Sequence, residues 1–240
     1  MLSHTEKWKA LRELAEKRRQ TRWPGFENPP RDFDDYVSPY TKGASNVDSP
    51  IFVMLQDWGS TDAFADGISD KTRSVGYTPS AATNRNLEAR LQEHFELEIR
   101  DVYATNLFPF IKQGSISARI PWNRLVEAAE QFAVKQIEIV EPRLVIALGL
   151  HCYQALRSVI KNSAGPGKLR IAIADPFEYG TGKIYCQAHT GWGVAKRGRE
   201  QTARDWEVMA TWFAAAEPIH RGGGPRLSLA SVPPLGHGSE

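Results

Sequence analysis

The chain has 240 residues, enough for one large α/β domain with a full hydrophobic core. Its net charge of +2 does not by itself point to nucleic acid. Its two cysteines, Cys152 and Cys186, lack C-x-x-C spacing; they argue against a cysteine zinc site or iron–sulfur cluster and suit a reducing cytoplasm.

Residues 4–21 have helical spacing, with Trp8, Leu11, Leu14 and Ala15 on one side, so residues 1–22 are expected to form an N-terminal helix. Residues 22–50 are rich in Pro, Gly, Asp and Ser and read as mostly loop. Ile51–Gln56 reads as a buried strand that ends in Gln56-Asp57-Trp58-Gly59. A long polar loop over 57–83 follows, of a length that is often functional. Asn86–Phe95 reads as a helix and Asp101–Thr105 as a short strand leading into Asn106-Leu107-Phe108-Pro109-Phe110. Pro121 opens a helical pattern that runs to Val140.

Leu144–Leu148 is a compact apolar strand broken by Gly149, and a helix is expected from there to about Ile160. Residues 162–167 form a turn, and Leu169–Ala174 and Lys183–Gln187 read as two more strands. The second of these runs into Ala188-His189-Thr190-Gly191-Trp192-Gly193. Residues 200–216 form a last helix. The tail from Glu217 is rich in Gly, Pro and Ser, and its residues 221–240 are expected to be disordered. Residues 23–216 then make a single α/β domain with a mostly parallel sheet of four or five strands. No stretch approaches the roughly 20 apolar residues of a membrane span, and no signal peptide is expected.

Charge is unevenly spread. The first segment carries Lys7, Lys9, Arg12, Lys17, Arg18, Arg19 and Arg22, which read as a solvated helix face, with phosphate binding as the alternative. Lys196, Arg197, Arg199 and Arg204 follow His189.

In a parallel α/β sheet, ligands bind where strands end. Asp57, Asn106 and His189 would all emerge there. For each residue alone, a turn-capping Asp or a His satisfied by backbone is the plain alternative. There is no G-x-x-x-x-G-K-[ST] loop, no G-x-G-x-x-G after the first strand and no nucleophile elbow. One Asp, one Asn and one His form a weak metal set, so no metal and no organic cofactor is expected. The trio does suit cleavage of an N-glycosidic bond. An Asn amide offers a donor and an acceptor to a planar base edge. A His donates to an oxygen on which negative charge grows. An Asp orients water and stabilises a positive sugar.

These motifs resemble those of the uracil-DNA glycosylase superfamily. Leu55-Gln56-Asp57-Trp58-Gly59 stands where that family has G-Q-D-P-Y or G-E-A-P-G. Asn106 matches the Asn of N-x-V-K-x-R-P, Pro142–Gly149 matches P-x-V-I-V-A-L-G, and His189-Thr190-Gly191 stands at H-P-S. The likeness spans residues 48–215 in the correct order.

The resemblance implies a three-layer α/β/α fold and a monofunctional glycosylase that removes uracil from DNA in base excision repair. It implies Asp57 as the water-orienting residue, Asn106 as the uracil reader, His189 as the donor to the base O2, and the Gln56 backbone as a hold on the base. Tyr77, with Phe64 as competitor, would stack on the flipped base. Trp58 replaces the common proline. Gly59 falls where some members carry a tyrosine that excludes the thymine methyl, so it is expected to leave room for bases beyond uracil. The loop after His189 would supply Trp192 or Val194 as a wedge, with Lys196, Arg197 and Arg199 on phosphates. A cytoplasmic monomer acting on DNA is expected. Two other readings stay open: a damaged-DNA-binding protein without catalysis, and a hydrolase of a free nucleoside or small metabolite.

Overall fold

The computed structural model describes residues 1–216, the side chain of Trp192 excepted; the loose tail expected over 217–240 lies outside the described residues. The chain begins with α1 (His4–Gln20), whose N-terminus is closed by a Ser3–Glu6 capping box. A two-residue strand β1 (Phe26–Glu27) and two short 3-10 turns lead to β2 (Ile51–Asp57). Then come α2 (Asp70–Val75), α3 (Ala82–Phe95), β3 (Tyr103–Phe108) and β4 (Ile111–Lys112). A long helix follows as α4 (Trp122–Ala128), a π turn over Ala129–Ala133, and α5 (Val134–Val140). The rest is β5 (Leu144–Leu148), α6 (Leu150–Lys161), α7 (Leu169–Ile173), β6 (Phe177–Tyr179), β7 (Gly182–Gln187), α8 (Trp192–Arg197) and α9 (Arg199–Ala215).

The main sheet has the order β3-β2-β5-β7-β6, parallel except for β6. Side chains alternate across it, and both faces are buried, which is why its inner strands read as unbroken apolar runs. Phe52, Met54, Val145, Ala147, Ile184 and Cys186 pack under α1, α4, α5 and α6. Ile51, Val53, Leu55, Ile146 and Leu148 pack under α3 and α9, through Leu87, Leu91, Trp206 and Met209. The result is a three-layer α/β/α domain.

Three expectations are corrected. Leu169–Ala174 is not a strand: Leu169–Ile173 is a short helix, and the sheet edge beside β7 is taken by β6. The turn from β6 to β7 is only Gly180-Thr181, so this local hairpin closes with little loop entropy. The segment after His189 is not a plain loop, because Trp192–Arg197 forms α8. The basic face of α1 is only partly solvated. Lys7 is buried and donates to the carbonyls of Val47 and Val140, while Arg18 donates to those of Phe33 and Tyr36. These bonds satisfy cations inside the core and tie α1 to the domain. Among the described residues, no helix is long and apolar enough to cross a membrane.

The sheet order sets the site. From β2 the chain moves outward through α3 to β3. From β5 it moves the other way through α6 to β7. The carboxyl ends of β2 and β5 therefore flank a topological switch point, where the diverging connections open a crevice.

Candidate active site

A cleft of about 850 Å³ opens at this switch point. Asp57, Asn106 and His189 all line it, together with Gln56, Trp58, Gly59, Phe64 and Tyr77. The residues singled out for base chemistry thus share one cavity, although they come from positions spread over more than half the chain.

Asp57 is the last residue of β2. Its Oδ2 stands 2.6 Å from Lys112 Nζ in β4, and its Oδ1 accepts a 3.3 Å bond from Gln56 Nε2. The lysine is nearly as buried as the core, with a side-chain exposure of 6% against 14% for Asp57. Lys112 was not found from sequence. Its signal was a cation closing the apolar run Leu107–Ile111.

Asn106 lies inside β3 rather than beyond its end, opposite Leu55. It is fully buried. Its Oδ1 accepts a 2.6 Å bond from Ser38 Oγ, and its Nδ2 has no partner among the described residues. A hydroxyl on the oxygen fixes the amide so that its NH₂ is the free edge. Ser38, from the stretch expected to be loop, is the second residue missed.

His189 follows β7 by two residues. Its Nδ1 accepts a 3.1 Å bond from the Gly191 N–H. In the neutral ring this places the proton on Nε2, which is then a donor. Burial holds the imidazole below its ordinary value, against the pull of the Asp57 charge. The turn is braced on α3: Asn86 Nδ2 donates to Thr190 O at 2.6 Å, and Thr190 Oγ1 donates to Thr83 O at 2.9 Å. A Cβ on Gly191 would lie 2.7 Å from Thr83 Oγ1, so glycine allows the turn to sit this close.

The aromatic wall differs from expectation at Gly59. A Cβ there would lie 2.6 Å from the Phe64 ring. The volume that glycine leaves is therefore filled by Phe64, which also packs on Trp58 with ring centroids 4.5 Å apart. Trp58 is pinned by its Nε1–H to Gly76 O at 2.8 Å. Gly76 has φ +80° and no room for a side chain beside the Pro39 carbonyl. Tyr77 stacks on Tyr40 at 4.8 Å, and Tyr40 is held by its hydroxyl on Asn84 Oδ1.

The predicted DNA-contacting residues divide. Lys196 and Arg199 are exposed, and Val194 is half-buried on α8. Arg197 is not available to phosphates, because it makes a bidentate pair with Asp205 at 2.8 and 3.0 Å. Among the described residues, no group of three or more His, Cys, Asp or Glu is placed to hold a metal ion. Cys152 and Cys186 are buried, and burial pushes the Cys186 thiol up to about 12. No protein-family model matches the chain, and no curated protein matches its sequence.

Proposed function

We propose that this protein is a DNA glycosylase that hydrolyses the N-glycosidic bond of uracil, acting on DNA as a cytoplasmic monomer at the first step of base excision repair. The observation that carries this reading is the free amide edge of Asn106. It is fully buried, lacks a partner for Nδ2, and lies in the same cleft as Asp57 and the neutral Nε2–H of His189. A buried unpaired donor costs stability, and a planar base that completes the pairing explains why it is kept.

In this reading Lys196 and Arg199 meet the phosphates beside the cleft. The target nucleotide is extruded at a cost of a few kcal/mol, least for a single strand or mismatch. Asn106 tests the base edge with its NH₂. His189 donates from Nε2 to the base O2 as the base leaves as an anion. Asp57 aligns the attacking water and faces the cationic sugar. Phe64 fills the space beside Gly59, so the pocket excludes a 5-methyl group.

The test is strand cleavage, after alkali, of oligonucleotides carrying one uracil. Wild type should cleave, Asp57→Ala should lose cleavage, and His189→Ala should lose about 10²–10³ in rate. Absence of cleavage on both single- and double-stranded uracil DNA would overturn the proposal.

A further inference from the structure

A carboxylate lining a cleft can take the proton of a nucleophile that stands within hydrogen-bond reach of it. Beside Asp57 that position is held by a primary amine, Lys112 Nζ, at 2.6 Å. The arrangement is built by the backbone. Lys112 pairs with Phe26 in the β1–β4 ladder, its N–H donates to Gly59 O, and its carbonyl accepts the Thr61 N–H at 2.9 Å. The lysine is thus clamped to the segment that directly follows Asp57. Taking both charges out of water is costly, and a cleft wall needing only rigidity would be as well served by apolar residues. Lys112 lines the same cleft as Asn106 and His189. A lysine taken out of water forms imines with carbonyl carbons once its proton has been passed on, and Asp57 is in place to receive that proton.

We propose that Lys112 is a further catalytic residue, which captures C1′ of a ring-opened abasic sugar and gives the protein a DNA strand-incising activity. This rests on the reading that the cleft receives a deoxynucleotide, and it adds an elimination to the hydrolysis proposed above, in place of the monofunctional action that the resemblance implies. The ammonium of Lys112 passes a proton to the Asp57 carboxylate. The neutral amine adds to the C1′ aldehyde and forms an N–C1′ bond. A proton moves from the new ammonium nitrogen to the alkoxide, Asp57 returns its proton to the same oxygen, which leaves as water, and an iminium remains. Asp57, again a carboxylate, then takes a proton from C2′. The electron pair released expels the 3′ phosphate by breaking the C3′–O bond. Asp57 passes the C2′ proton to the departing phosphate, and water finally hydrolyses the iminium and frees Lys112 as its ammonium. No metal or redox partner enters the balance.

The experiment uses the full chain and a duplex with one preformed aldehydic abasic site, treated with sodium borohydride. The expected result is a covalent protein–DNA adduct whose peptide map places the link at Lys112, with incision of the strand in the absence of alkali. Lys112→Met should lose the adduct, and mapping in the wild type keeps the test valid if that variant fails to fold. No adduct, or one at another amine, overturns the proposal. Uracil release is measured in parallel. Release without an adduct overturns the lysine step alone, while an adduct without release overturns the uracil reading and leaves a lyase.

Discussion

Replacing Ser38 with Ala and Asn106 with Leu together should give a protein that is more stable and inactive. Asn106 Nδ2 is buried without a partner among the described residues, and such a group costs about 1–3 kcal/mol. The Ser38–Asn106 hydrogen bond returns about 0.5–1.5 kcal/mol. Leu keeps the branched skeleton of Asn but is bulkier, and the hydroxyl volume released by Ser38→Ala, directly against the Asn106 side chain, takes up part of the difference. Removing both polar partners leaves no stray hydroxyl, and the net gain is about 1 kcal/mol. In a chain of this size that raises Tm by about 2–4 °C. Asn106→Leu alone should gain less, because the Ser38 hydroxyl is then buried unpaired. Calorimetry gives Tm, and single-turnover uracil release gives rate, expected to fall by about 10²–10³ for loss of the base-edge donor. A drop in Tm typical of core substitutions would refute the strain argument. Retained turnover would refute Asn106 as the reader.

Other predictions follow from single contacts. Gly191→Ala puts a Cβ 2.7 Å from Thr83 Oγ1 and 3.3 Å from His189 Nδ1, so uracil release should fall far more than Tm; equal loss in both would make the turn merely structural. The His189 imidazole is held below 6.5 by burial. The folded state then binds fewer protons than the unfolded one just below that value. Its contribution to stability is present above 6.5 and is lost as pH falls toward the lowered folded value. Wild type should lose more Tm on acidification than His189→Gln, and matching curves would contradict this. Phe64→Ala should open the space beside Gly59 and raise thymine release relative to uracil; an unchanged ratio removes Phe64 as the filter. Arg199→Ala should lower the slope of log affinity against log salt by about one unit without changing Tm. Arg197→Ala should instead destabilise the fold by about 2 kcal/mol, since it leaves the carboxylate of Asp205 without its bidentate partner.

Much of the architecture was readable because periodicity is a local signal. Ile51–Gln56, Leu144–Leu148 and Lys183–Gln187 lie within β2, β5 and β7, and Asn86–Phe95 lies within α3. The alternation of Leu169, Ile171 and Ile173 was misleading. A five-residue segment has too little propensity of its own to resist its surroundings, and the β6–β7 hairpin already holds the edge of the sheet.

The chain by itself determined that Asp57 and His189 stand at the ends of apolar strands, that a third strand leads into Asn106, and that all three reach one side of a parallel sheet. Alternating strands and helices with right-handed crossovers leave little choice in that. Tertiary structure alone decided what those residues touch. Ser38 reaches Asn106 from 68 positions away. Lys112 meets Asp57 only because β4 is paired to β1 and held against Gly59 and Thr61. The ring of Phe64 fills the space beside Gly59 through the fold of a loop that has no period to read. Hydrogen bonds and ion pairs act over about 3 Å, and which groups come that close depends on packing across the whole chain.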